Sequence, residues 1–288
     1  MLEFCSIIAP IKHRPLKKSF DIGEVKRTEA FSSALLLEIG KTTFAYAVLN
    51  KDTGMISRYS RYEDLADGED ILPGLISEIP ELNYTYRRSA VSYFTGEAVQ
   101  VPADIYRYDQ EKYYLGTFIS TVPDSVIKSE HINTQDLYNV YYVPVAINNL
   151  VSKSFIGTAY WHYYSVLLKN ISGREDQAML MDVRPGEFAV LYVKAGKLRC
   201  CMMYTYSTPE DVLYKILGIC NQFGIKRQEL PLTASGFIEK QSALYKELYK
   251  YFPSIHFDGL PDGTGLSDGF VDLPVHYFSS VCKLSVCV

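Results

Sequence analysis

The chain has 288 residues, 48% of them hydrophobic and 22% charged, with a formal net charge of −4. That length and apolar fraction suit one large or two modest globular domains with a proper core. The mixed, mildly acidic charge excludes the basic stripe that neutralises a nucleic-acid backbone, and no apolar run approaches the ~20 residues that span a bilayer.

These properties set the expectation of a cytoplasmic protein with no nucleic-acid partner and no direct membrane contact. In the opening "MLEFCSIIAPIKHRP", Glu3 precedes the short apolar run and Pro10 and Lys12 interrupt it, unlike a signal peptide. Residues 1–32 are expected to add an arm or an edge strand.

The stretch "LLLEIGKTTFAYAVLN", residues 35–50, contains Gly40-Lys41-Thr42, the ending of a phosphate-binding loop. Such a loop needs a glycine five positions before Gly40 so that backbone amides can curl around phosphate. Leu35 stands there, inside the apolar run Leu35, Leu36, Leu37 and Ile39. The pattern is a buried strand. "TTFAYAVLN", the turn "KDTG" and the alternating "MISRYSRY" then predict two further strands, which makes Gly40-Lys41-Thr42 a hairpin tip. "DGEDILPGLISEI" predicts a short helix, "RRSAVSYF" a strand, and "VPADIYRY" a helix start with Pro102 early.

"LMDVRPGEFAVLYVKAGKLRCCMMYTY", residues 180–206, repeats the first hairpin unit. Leu36 aligns with Leu180, Glu38 with Asp182, Phe44 with Phe188 and Ala45 with Ala189, at one spacing equal to half the chain. In "STPEDVLYKILGICNQFG", Thr208 is a predicted N-cap with Pro209 at the first helical position and Asp211 completing a capping box. Val212, Leu213, Ile216, Leu217, Cys220 and Phe223 share one face, and Gly224 stops the helix. "ELPLTASGF" then reads as a strand, "IEKQSALYKELYKYF" as a helix with Leu244, Tyr245, Leu248, Tyr249 and Phe252 inward, and "SIHFDGL" as a strand. The final "LPVHYFSSVCKLSV" predicts a helix that closes the second half, with Phe278, Val281 and Cys282 inward.

Other constellations carry less chemistry. The 24 tyrosines cluster at 84–86, 106–108, 138–142 and 160–164, where they suit half-buried strands and also wet interfaces. Cys5, Cys200, Cys201, Cys220, Cys282 and Cys287 lack zinc spacing and read as reduced thiols, one of the Cys200-Cys201 pair facing the core. His13, His131, His162, His256 and His276 belong to no catalytic motif. Gly263, Gly265 and Gly269 miss the dinucleotide fingerprint. Asp258, Asp262 and Asp268 lack the closing Glu of a calcium loop.

Two β-β-β-α-β-α units, each opening with an acid near a glycine turn, resemble the actin-like ATPase superfamily of actin, sugar kinases and heat-shock chaperones. Within it the chain is most similar to an uncharacterised Bacteroidetes family with a degenerate actin-like fold. The resemblance implies an α/β protein of two duplicated ribonuclease-H-like domains with mixed sheets facing a cleft, over residues 33–150 and 151–288. It also implies that the two hairpins face nucleotide phosphates and that a later strand-glycine turn faces adenosine.

Carried over, the first phosphate motif falls on Glu38, Gly40, Lys41 and Thr42, the second on Asp182, Arg184 and Gly186, and the adenosine turn on Ser235 and Gly236. Each departs from the family pattern. Glu replaces Asp at position 38, Lys41 stands where a small hydroxyl is usual, and Pro185, which has no amide to donate, lies in the second turn. The leading expectation is a non-catalytic interaction or scaffold module with an unidentified protein partner, no cofactor and no metal. The rival is a nucleotide switch or phosphotransferase in which Glu38 and Asp182 surround the magnesium of Mg-ATP and Lys41 and Arg184 hold phosphates.

Overall fold

A computed structural model describes residues 17–65, 68–171 and 177–288. The expectations for residues 1–16, with Cys5 and His13, lie outside the described residues. The first half opens with β1 (Lys17–Gly23) and the short α1 (Arg27–Ala30), followed by β2 (Ser33–Gly40), β3 (Phe44–Asn50), β4 (Met55–Glu63), α2 (Gly68–Glu78) and β5 (Arg88–Phe94). An insert follows, made of β6 (Ala98–Pro102), α3 (Glu111–Phe118), β7 (Ser125–Ile132) and β8 (Leu137–Pro144). After it come α4 (Val145–Ser154), β9 (Ala159–His162) and α5 (Tyr163–Lys169). The second half contains β10 (Gln177–Arg184), β11 (Glu187–Lys194), β12 (Lys197–Thr205), α6 (Pro209–Phe223), β13 (Leu232–Gly236), α7 (Ala243–Tyr249) and β14 (Ile255–Phe257), then β15 (Gly265–Leu266) and α8 (Ser279–Cys282).

The duplication is explicit in the sheets. The first has the strand order β1-β4-β3-β2-β5-β9 with β15 beside β4, and the second has β12-β11-β10-β13-β14. In both, an antiparallel three-strand meander is extended by two parallel strands on the side of its first strand. The register repeats as well. Glu38 lies opposite Ala45 and Ser92, and Asp182 lies opposite Ala189 and Ser235. This is the two-domain actin-like fold with mixed sheets.

Local physics explains the central strands. All eight residues of β2 are buried, as expected of a strand paired on both sides and covered on both faces. The cap of α6 forms as its sequence predicts: the Thr208 side chain accepts from the Asp211 N–H, and Gly224 ends the helix at φ +62°. Val212, Leu213, Ile216 and Cys220 are buried beneath it. In α7, Leu244 and Leu248 point inward and Phe252, three residues past the helix, also packs in the core. Tyr249 is instead 54% exposed, because the helix stops at 249 and its last turn faces water. Most strand tyrosines are packing residues: Tyr46, Tyr59, Tyr93, Tyr141 and Tyr192 are fully buried, as are Tyr163 and Tyr164 at the start of α5.

Three expectations need correction. Val101 and Pro102 end strand β6, which pairs with β8 in a separate three-stranded sheet β6-β8-β7, and the helix begins only at Glu111. Pro102 donates no amide, which an edge strand tolerates. Secondly, β9 joins β5 of the first sheet, so that sheet extends past residue 150. Thirdly, the C-terminal segment does not simply close the second half. Phe278, Val281, Cys282 and Leu284 pack on Ala34, Leu36, Ala45 and Ala47 of the first sheet, because the three alanines leave a shallow face that bulky residues fill.

The insert meets the first sheet through a polar seam. Glu130 Oε1 accepts from the Tyr141 hydroxyl and from the His162 N–H, the latter at 2.7 Å, while Oε2 is buried with no partner among the described residues. Burial pushes this carboxyl up from 4.5 to about 7, against the opposing donors Ser165 and Tyr141. A carboxyl raised on folding favours the native state while it is protonated, and that contribution is lost as pH climbs from about 4.5 through about 7. Glu130→Gln is therefore expected to be more stable than the parent at pH 8, by on the order of 1–3 kcal/mol, and equal to it near pH 4. Urea unfolding at both pH values measures this, and equal curves at pH 8 would contradict it.

Candidate functional site

The inner ends of β2 and β10 bring Glu38 and Asp182 toward each other across the two halves. Side chains at i and i+2 of a strand share a face, so Arg184, the last residue of β10, lies on the same side as Asp182 and points between the halves. Its guanidinium donates to both oxygens of Glu38, Nη1 to Oε1 at 2.8 Å and Nη2 to Oε2 at 2.9 Å. It also donates from Nε and Nη2 to Asp182 Oδ2, each at 3.1 Å. The two-point contact with Glu38 is the geometry that makes arginine–carboxylate pairs strong.

Further donors complete the cluster. Ser280 Oγ, from α8, donates to Glu38 Oε2 at 2.6 Å and accepts from Arg184 Nη2 at 2.7 Å. Tyr163 donates to Asp182 Oδ2 at 2.8 Å, and Ser235 donates to Oδ1 at 2.9 Å. Arg61 reaches Glu38 Oε1 at 3.4 Å and Glu63 Oε1 at 3.1 Å. The Arg184 guanidinium carbon lies 3.1 Å from the centre of the Phe94 ring, a cation–π contact. Glu38, Arg61, Glu63, Asp182, Arg184 and Ser235 are all buried. All four oxygens of Glu38 and Asp182 therefore accept from protein donors.

Electrostatics follow from that packing. Burial works against the Asp182 charge, but Arg184, with the Tyr163 and Ser235 hydroxyls, holds its carboxyl below the usual 3.8. Burial likewise disfavours the Arg184 cation, and Glu38 and Asp182 outweigh it, so the guanidinium stays charged. Nearby, Lys283 forms a buried ion pair with Asp258, which ties the C-terminal segment to the end of β14.

The other sequence-derived site residues lie around this cluster. Gly40 is buried at the end of β2, and Gly236 closes β13 at φ +77°. Lys41, Thr42 and Gly186 line a cavity of about 830 Å³ between the hairpin tips, together with Phe94, Glu187 and Met203. Lys41 is exposed and pairs with Glu97 at the rim. The structure thus joins Glu38, Asp182, Arg184 and Ser235 in one network and leaves Lys41, Thr42 and Gly186 at its mouth. Sequence reasoning missed Arg61, Tyr163, Ser280 and Phe94. Only Arg61 carried a signal, as a charged residue that β4 (MISRYSRYE) buries almost completely, and even so the alternating pattern of that strand does not single it out. Among the described residues, no group of three or more His, Cys, Asp or Glu side chains could hold a metal ion, and no helix is long and apolar enough to cross a membrane.

A family model described as "Protein of unknown function (DUF3822)" matches residues 24–255. The chain belongs to this family. No curated protein matches it. A solved structure from Bacteroides thetaiotaomicron, described as having an actin-like ATPase fold and unknown function, is similar at TM-score 0.73 and 14% identity, over 82% of this chain and 94% of that one. A chain of the PilM-PilN type IV pilus biogenesis complex is similar at TM-score 0.56 and 12% identity, over 91% of this chain and 99% of that one. At these identities the similarity establishes the fold that the repeated hairpins imply.

Proposed function

We propose that this protein is a non-catalytic interaction module built on a degenerate actin-like fold, in which an internal ion-pair clasp stands where the resemblance to the actin-like superfamily implies a nucleotide. The observation that carries this reading is the position of Arg184. It bridges the acid of the first hairpin to the acid of the second and lies over Phe94.

The residues present do not suit Mg-ATP. A magnesium ion is bound through carboxylates and water in near-octahedral geometry, and both acids already have their oxygens engaged. Pro185 also removes an amide from the second turn, where relatives present donors to phosphate. Protein partnership fits the fold's company, since a similar chain belongs to the PilM-PilN type IV pilus biogenesis complex. A cytoplasmic location is part of the same reading.

Thermal denaturation with millimolar Mg-ATP tests it. A ligand at a hundredfold excess over its Kd would stabilise the fold by ~2.7 kcal/mol. No shift in Tm is expected here. A clear upward shift that disappears in Asp182→Asn would overturn the proposal in favour of a nucleotide switch or phosphotransferase.

A further inference from the structure

The second sheet ends in an unpaired strand. Among the described residues β12 pairs only with β11, and the Tyr206 N–H donating to the Gly186 carbonyl fixes the phase of that ladder. Alternation in an antiparallel pair then turns the backbone groups of Met202 and Tyr204 toward β11, and those of Cys201, Met203 and Thr205 outward. One end of the same edge is already filled by a surrogate. The Gln135 side-chain amide accepts from the Leu198 N–H at 2.8 Å and donates to the Gly196 carbonyl at 3.1 Å, as a neighbouring strand would.

Two cavities follow the edge. One of about 300 Å³ is lined by Lys197 to Cys201 and by Gln100 and Pro102 of β6, and the 830 Å³ cavity is lined by Met203, Tyr204 and Thr205. The charge at the start of this edge, from Lys194 at the end of β11 through Lys197 and Arg199 of β12, is one-sided. Lys194, Lys197 and Arg199 are exposed and form no ion pair among the described residues.

We propose that β12 is a docking edge for an extended, acidic segment of a partner protein, which adds as a sixth strand to the second sheet. This rests on the interaction-module reading and names the kind of partner it takes. Cys201 is itself buried, so backbone hydrogen bonds to Met203 and Thr205 supply affinity, as in other strand additions. Lys194, Lys197 and Arg199 select acidic residues at one end of the segment, and the larger cavity receives apolar side chains at the other. Exposed edges are commonly guarded by lysines against indiscriminate pairing, and here those charges also choose the partner.

The probe is a fluorescein-labelled peptide of alternating valine and threonine ending in three glutamates, with a copy N-methylated at alternate residues as control. The first peptide is expected to bind the full chain and slow hydrogen exchange at the amides of Met203 and Thr205. The N-methylated copy should not bind. The double variant Lys197→Glu/Arg199→Glu, both changes being on exposed side chains, should weaken binding at least tenfold with Tm unchanged.

Absence of binding up to millimolar peptide, protection confined to other strands, or undiminished affinity in the double variant would each overturn the proposal. So would concentration-dependent protection of the same two amides without peptide, since the occupant would then be a second copy of this chain. None of these outcomes touches the interaction-module reading itself, which a nucleotide-dependent shift in Tm would defeat separately.

Discussion

Arg184→Met is expected to destabilise the protein by ~3–5 kcal/mol, the usual cost of removing one partner from a buried charge cluster. Methionine fills much of the arginine's volume and keeps an apolar contact with Phe94, so the loss reports on charge more than on packing. Without the guanidinium, Glu38 and Asp182 face each other with only Arg61, Ser280, Tyr163 and Ser235 as donors.

The pH dependence separates this account from a simple cavity. In the parent, Asp182 is held below 3.8, so its contribution is present above that value and lost as pH falls through the lowered one. In Arg184→Met, burial is no longer offset by the arginine and the sign reverses, so that stability is lost as pH rises. The gap between the two proteins should therefore narrow between pH 7 and pH 4. The triple variant Glu38→Gln/Asp182→Asn/Arg184→Met should recover part of the loss at pH 7. Urea denaturation provides the comparison, and a gap independent of pH with no recovery in the triple variant would count against a charge cluster.

Gly236→Ala is expected to cost ~2–5 kcal/mol, combining the ~1–2 kcal/mol of a left-handed residue with the ~1–3 kcal/mol of overpacking. Its φ is +77°, and a Cβ there would lie 2.1 Å from the Val183 carbonyl oxygen and 2.9 Å from Asp182 Oδ1. The parallel pairing of β10 with β13 leaves no room for that methyl group, because the Phe237 N–H donates to the same Val183 carbonyl at 2.8 Å. Relief requires β13 to move away from β10, which carries Ser235 off Asp182. Gly186→Ala at the neighbouring hairpin tip meets no atom within 4 Å and should cost only its backbone strain, about 1–2 kcal/mol. Equal losses for the two alanine variants would contradict the steric account.

Gly236 shows how a position legible in the sequence can carry a constraint that only the fold supplies. The strand-glycine turn that the resemblance assigns to adenosine is here a steric necessity of the β10–β13 pair. Lys41 is similar. Its position at a hairpin tip was legible from the strand pattern on either side, but its pairing with Glu97 was not, because Glu97 lies beyond β5.

The sequence by itself determined the duplicated architecture, since alternation, turn residues and the aligned Glu38 and Asp182 are local or strictly periodic signals. It also determined the capped helix α6, whose Thr208, Pro209, Asp211 and Gly224 act within one turn of its ends. The tertiary structure alone decided what the paired acids do. Arg184 meets Glu38 across 146 residues and Ser280 meets it across 242, and no local pattern encodes contacts between elements so far apart in the chain. The return of Phe278 and Val281 to the first sheet was undecidable for the same reason. An apolar helix face fixes that it will be buried, and only the shape of the available surface fixes where.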